Sequence, residues 1–124
     1  MTPALVALAV AACGFGAVAR HGINQLGAQS RWPWPTLVAN VLGSGVMGVA
    51  AAAVLVSHAP IGWLLVFGGG FAGGLSTVST LAIDALVLWH DGQRRSAAAY
   101  VIVTLATGLG SAAAGWAIAA QAWG

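Results

Sequence analysis

Hydrophobic residues run almost without interruption through four stretches of the chain, at approximately 3–23, 36–56, 61–89 and 97–120. At 1.5 Å rise per residue, about 20 mainly apolar residues cross the hydrocarbon core of a bilayer, so the pattern predicts four transmembrane helices. The connections are short and polar. The first, 24–35, holds Gln25, Gln29, Ser30 and Arg31 and then Trp32-Pro33-Trp34-Pro35, which cannot continue a helix. The second, Ser57-His58-Ala59-Pro60, reads as a tight turn with Pro60 placed to start the next helix, and the third, 90–96, carries Asp91, Gly92, Arg94 and Arg95. Trp32, Trp34, Trp63, Trp89 and Trp123 fall at or near the ends of these stretches, as an interfacial aromatic belt places them, whereas Trp116 lies within the last one.

The third stretch is unusual. It exceeds one span by about nine residues, and its centre reads Gly68-Gly69-Gly70-Phe71-Ala72-Gly73-Gly74-Leu75-Ser76-Thr77. The pairs Gly69/Gly73 and Gly70/Gly74 permit close helix contact. The hydroxyls of Ser76, Thr77, Ser79 and Thr80 directly after them add a second expectation. Unpaired backbone carbonyls are tolerated in a membrane only where they face a cavity, the protein interior or an ion, and a helix broken at mid-membrane meets that condition. A continuous glycine-rich packing helix is the alternative reading.

Composition agrees with a bilayer as solvent. Of 124 residues 60% are apolar, and the charged ones are Arg20, Arg31, Arg94, Arg95, Asp84 and Asp91, whereas a soluble domain would be about 25% charged. The fold class expected is therefore all-α, one four-span membrane domain over 1–124. No basic residue precedes the first apolar run, so 3–23 reads as a retained span and not a cleaved signal. Four arginines without a clustered basic face exclude a nucleic-acid partner. Cys13, His21, His58 and His90 lack metal-ligand spacing, and Cys13 reads as a small buried apolar residue. Enzymatic chemistry finds no support, because the histidines sit near the predicted membrane edges while the hydroxyls lie deeper.

Polar groups within spans are costly in lipid, so each is a candidate for function. Asn40, one turn into the second span and ahead of Gly43-Ser44-Gly45, either ties two helices together or serves a pore. Tyr100, Thr104, Thr107 and Ser111 recur at spacings of four, three and four, which places them on one helical face as a polar track. Arg20 ends the first span, where it snorkels or caps carbonyls. Asp84 is the only embedded carboxylate and is read as interfacial or capping. A proton-coupled small-solute exporter needs a titratable group at mid-membrane, and the chain contains no Glu.

Three segments together resemble the CrcB, or Fluc, family of fluoride channels: Gly14-Phe15-Gly16-Ala17-Val18-Ala19-Arg20, Thr36-Leu37-Val38-Ala39-Asn40-Val41-Leu42-Gly43-Ser44, and Gly70-Phe71-Ala72-Gly73-Gly74-Leu75-Ser76-Thr77-Val78-Ser79-Thr80-Leu81. The resemblance extends over essentially the whole chain. It implies an antiparallel dimer in the cell membrane, embedded in lipid, with fluoride pathways at the interface and a structural sodium ion at the centre. It maps sodium onto the backbone carbonyls of Gly73 and Ser76, and the anion pathway onto Asn40, with Val78, Ser79, Thr80, Leu81, Tyr100, Thr104, Thr107 and Ser111 lining or flanking it. Arg20, Gly43, Ser44 and Gly74 are the structural positions. Fluoride is small and strongly hydrated, so its passage requires donors that replace water, which amide N–H groups and hydroxyls provide.

One departure bears on function. The family pattern carries phenylalanines where this chain has Val78 and Leu81, and aliphatic side chains offer an anion no polarised ring edge. All four arginines also fall on or next to the first and third loops. That bias favours those loops in the cytoplasm and a fixed orientation. Pairing with an oppositely oriented paralogue thus stands beside the homodimer, and a non-conducting partner subunit stands beside a self-sufficient channel.

Overall fold

The computed structural model describes residues 2–30 and 32–124. Arg31, counted above toward the charge bias, lies outside the described residues. Four helical spans follow one another, joined by short connections, with no strand among the described residues. The first is α1 (Pro3–Leu26) and the second α2 (Trp34–Leu55). The third is composite. It begins with α3 (Ile61–Trp63), widens into a π-helical stretch (Leu64–Ala72), returns to α geometry in α4 (Gly73–Leu75) and resumes after two extended residues as α5 (Val78–His90). The fourth is α6 (Arg94–Trp123). All four spans are long and apolar enough to cross a membrane.

The helices extend past the apolar stretches at several ends: α1 runs to Leu26 instead of residue 23, and α6 starts at Arg94 instead of residue 97. The hydrogen-bonded backbone continues through the interface because ending a helix at the hydrocarbon edge would strand its last polar groups in an apolar medium. Local chemistry sets the true ends. Thr2 caps α1 by accepting a bond from the Leu5 N–H at 3.2 Å, with Pro3 in the first position. After α5, Gly92 adopts φ +82°, its N–H bonds the Trp89 carbonyl at 3.1 Å, and the Gln93 N–H bonds the Leu88 carbonyl at 2.9 Å. That paired closure is a Schellman motif, and it reverses the chain into α6 within three residues.

Packing between spans relies on absent side chains more than on interlocking ones. α1 lies against the π-helical stretch and α4, and α2 lies against α6. A Cβ on Gly16 would fall on the Phe71 carbonyl, one on Gly74 on the Cys13 carbonyl, and one on Gly70 would sit 2.6 Å from the Ala9 carbonyl. On the second seam, a Cβ on Gly48 would meet the Ala112 carbonyl and one on Gly115 the Gly45 carbonyl. Such approach gives two helices dispersion contact along their backbones where lipid supplies no hydrophobic drive to join them. The Gly70/Gly74 pair therefore performs the packing role expected of it. In contrast, Gly69 and Gly73 meet nothing closer than 3.8 Å within the subunit.

The subunit interior is thin. Tyr100 is the largest fully buried side chain among the described residues and sits with Leu81, Leu88 and Ala97, while Phe15 and Val18 on α1 and Leu109 and Ile118 on α6 are exposed. Cys13, expected to be buried, is also exposed. The reason is that α1 offers only its glycine edge to the bundle and turns its bulky face outward.

Candidate functional site: the interrupted third span

The polar centre of the molecule forms where α4 ends. Ser76 (φ −85°, ψ 156°) and Thr77 (φ −154°, ψ 130°) are extended, and α5 begins immediately after them. No proline causes this. Two backbone donors that would extend the helix are instead taken by other acceptors. The Thr77 N–H, which in a continuous helix would bond the Gly73 carbonyl, donates to Asn40 Oδ1 at 2.6 Å, and Asn40 Nδ2 donates to the Thr77 carbonyl at 3.1 Å. The Thr80 N–H, which would reach the Ser76 carbonyl, donates to Thr77 Oγ1 at 3.2 Å, so Thr77 acts as the N-cap of α5. Upstream, the Ala72 carbonyl accepts both the Ser76 N–H at 2.9 Å and the Ser76 hydroxyl at 2.8 Å.

Two consequences follow. The carbonyls of Gly73 and Ser76 lose their α-helical donors, the N–H groups of Thr77 and Thr80. On the other side, α5 presents its first N–H groups and the positive end of its dipole at the same level, which favours an anion.

A cavity of about 320 Å³ opens beside this interruption, between α2, α4, α5 and α6. Of the residues singled out from sequence, Asn40, Gly43, Ser44, Gly73, Ser76, Val78, Leu81 and Thr104 line it. Asn40 and Thr104 are buried, at 9% and 3% exposure, and Val78 is 80% exposed. Thr104 Oγ1 has no hydrogen-bond partner among the described residues. Gly43 keeps α2 bare at the point of closest approach, since a Cβ there would lie 2.9 Å from Ser76 Cβ. A Cβ on Gly108 of α6 would lie 3.3 Å from Ser44 Oγ, which leaves room for that hydroxyl between α2 and α6.

Other expected members of the site are elsewhere. Thr80 is half-buried behind the cap, where Thr77 Oγ1 also donates to its hydroxyl at 3.3 Å, and Ser79 is exposed. The four hydroxyls of α6 do not form a single track. Tyr100 is in the core, its hydroxyl donating to Asp84 at 3.0 Å and its ring edge-on to Trp32 at 5.4 Å. Thr107 is exposed and returns its hydroxyl to the Val103 carbonyl at 2.5 Å. Ser111 donates to the Val41 carbonyl at 2.7 Å and lines a separate apolar groove of about 820 Å³. Residues sharing a face by periodicity thus meet three different neighbours, because α6 leans on α2 along one part of its length and on α5 along another.

Asp84 is likewise not a helix cap. Its carboxylate accepts from Thr36 at 2.8 Å and from Tyr100, tying α2, α5 and α6 together near the first loop. Thr36, a residue not singled out from sequence for any role, is essential to that network. Arg20 is half-buried near the same end. The Arg94 guanidinium lies over Trp89 at 4.9 Å, at the start of α6.

Comparison with known proteins places this geometry in context. The family model described as "CrcB-like protein, Camphor Resistance (CrcB)" matches residues 7–116. Fluoride-specific ion channel FluC of Saccharophagus degradans is 38% identical over 109 residues, covering 84% of this chain and 81% of its own length. FluC 1 of Leifsonia xyli subsp. xyli is 40% identical over 119 residues, with 93% and 86% covered, and FluC 1 of Rubrobacter xylanophilus is 36% identical over 120 residues, with 93% of each covered. With four membrane-crossing helices and a match through nearly all of its length, the chain belongs to the CrcB family of multi-pass membrane proteins.

Proposed function

We propose that this chain forms a passive, fluoride-selective channel in the cell membrane that lets cytoplasmic fluoride leave and so lowers its toxicity. The relatives supply the ion: they are named as fluoride-specific channels. The observation that carries the reading within this chain is the buried hydroxyl of Thr104, which has no partner among the described residues and belongs to a residue lining the same cavity as Asn40. A buried hydroxyl without a partner costs about 1–3 kcal/mol, and a small hydrated anion arriving in the cavity uses it. Together with the first N–H groups of α5, these donors replace the water that fluoride sheds. Neutral HF enters across lipid and ionises in a near-neutral cytoplasm, so a passive pathway suffices for export.

The functional unit in this reading is an antiparallel dimer. The wide exposed apolar faces of α1 and α6, and the bare Gly69 and Gly73 on the third span, are surfaces that a partner or lipid must cover. A sodium ion fits the free carbonyls of Gly73 and Ser76, doubled by the partner's equivalent pair, because hard monovalent cations take neutral oxygen ligands without a carboxylate. Its contribution is structural: it neutralises converging carbonyl dipoles.

Fluoride efflux from proteoliposomes, with chloride as control, tests the reading. Fluoride flux with chloride retained is the expected result, and equal passage of both ions overturns selectivity. A second reading is favoured by the aliphatic Val78 and Leu81 lining the cavity and by the one-sided arginines: a subunit that conducts only beside an oppositely oriented relative. Co-reconstitution with that relative separates the two. Proton-coupled export has less support, since the one embedded carboxylate, Asp84, is engaged by two hydroxyls away from the cavity.

A further inference from the structure

We propose that Asn40 is a positioning residue that holds the third span open, and that by taking the Thr77 N–H it leaves the Gly73 carbonyl free to bind a cation. The cation part rests on the sodium reading above; the positioning part does not.

The local cap that Thr77 gives α5 favours a helix start there but does not by itself open the Thr77 N–H to Gly73 carbonyl bond. Residues 73–80 contain no proline, and the Thr77 N–H is four residues from the Gly73 carbonyl, the spacing of an α-helical bond. What prevents that bond is a side chain 37 positions earlier. Asn40 grips the polar groups of Thr77 from both sides, accepting from its N–H at 2.6 Å and donating to its carbonyl at 3.1 Å. This two-point contact fixes Thr77 in extended geometry as a neighbouring strand would. The amide is itself held in place, since α2 is locked to α6 by the Gly48–Ala112 approach and by the Ser111–Val41 bond. Gly43, one turn along α2, leaves space for the extended backbone: a Cβ there would lie 3.1 Å from the Ala72 carbonyl. The Asn40 amide retains one N–H for the cavity. One side chain thereby serves both ions: it uncovers an oxygen for the cation and keeps a donor beside the anion.

The test uses full-length, isotope-labelled protein in lipid, reading the Ser76 and Thr77 Cα chemical shifts by NMR and the sodium-dependent rise in thermal stability. Asn40→Leu removes both contacts. Helical shifts at Thr77 and loss of the sodium-dependent rise are expected. Asn40→Asp keeps the acceptor for the Thr77 N–H and should keep extended shifts. Val78→Pro enforces the interruption independently. Val78 is the first residue of α5, where a missing N–H costs the helix no intrahelical bond, and the preceding Thr77 already has the extended geometry that proline demands. Added to Asn40→Leu, it should restore extended shifts and the sodium response, while fluoride flux stays low because the Asn40 amide and one α5 N–H are both gone. Extended Thr77 shifts in Asn40→Leu alone would overturn the proposal. If Asn40→Leu does not fold, helical shifts in Asn40→Asp overturn it equally. If the native protein shows no sodium response but its shifts change as expected, the sodium reading fails and the positioning role stands.

Discussion

Replacing Thr104 by Val separates what its hydroxyl does for stability from what it does for conduction. Valine is close to isosteric, so the cavity keeps its shape and only the polar atom is lost. That atom is buried, in a residue 3% exposed, and has no partner among the described residues. Removing a buried hydroxyl of this kind recovers part of an unsatisfied-group penalty of about 1–3 kcal/mol. Water in the cavity and residual bonding in the membrane-embedded unfolded state both reduce the gain, so about 1 kcal/mol of added stability is expected. Fluoride sees the opposite effect. A hydrogen bond to a charged group is worth about 1.5–3 kcal/mol, and losing it at the conduction barrier slows flux between about tenfold and about 150-fold. Unfolding in denaturing detergent, followed by tryptophan fluorescence, measures the first quantity, and a fluoride electrode on proteoliposomes measures the second. Thr104→Ser, which keeps the oxygen, should leave flux within about threefold of native, a barrier change of well under 1.4 kcal/mol. A Thr104→Val protein that is less stable by 1 kcal/mol or more on that scale and conducts at the native rate would refute the reasoning. Its hydroxyl would then be bonded within the protein and turned away from the ion.

Gly74→Val should destabilise the subunit by about 3 kcal/mol or more, above the usual range for overpacking, because the added carbon falls on the Cys13 backbone, which has no flexible end to move aside; loss of folded protein in detergent exclusion chromatography reads it out. Ser76→Ala deletes the hydroxyl bond to the Ala72 carbonyl but keeps the Ser76 carbonyl, so it should cost under about 1 kcal/mol and leave any sodium-dependent stabilisation unchanged. Complete loss of the sodium response there would identify a side-chain ligand. Reporter fusions at Gly124 should report the C-terminus predominantly outside, as the arginines on the first and third loops dictate, whereas equal signal from both sides with flux from the purified single chain would establish a dual-topology homodimer.

Much of the architecture is legible in the sequence because the bilayer imposes a simple length rule. Six charged residues in 124 leave no solvent but lipid, and four apolar stretches of span length leave few arrangements other than four helices. The concentration of glycines and hydroxyls over 68–80 likewise marks the polar region of the fold, since such residues are expensive in a span unless backbones touch or ions bind there.

Periodicity, however, reports which residues share a face and not what that face meets. Tyr100, Thr104, Thr107 and Ser111 share one, yet tertiary packing sends the first to Asp84, leaves the second buried with no partner among the described residues, returns the third to its own backbone and gives the fourth to Val41. Asp84 shows the same limit: its sequence neighbours give no sign of Thr36, 48 positions away, which makes its role a cross-link between helices. The extended geometry of Thr77 depends on a contact of similar reach. Its own hydroxyl caps α5, but the approach of α2 across the bare edge at Gly43 is what brings Asn40 close enough to take the N–H that would bond the Gly73 carbonyl. Local preferences are worth tenths of a kcal/mol per residue, about 0.7 at most for ordinary residues. A two-point hydrogen bond in a low-dielectric interior outweighs them, and its partner is chosen by the packing of the whole bundle.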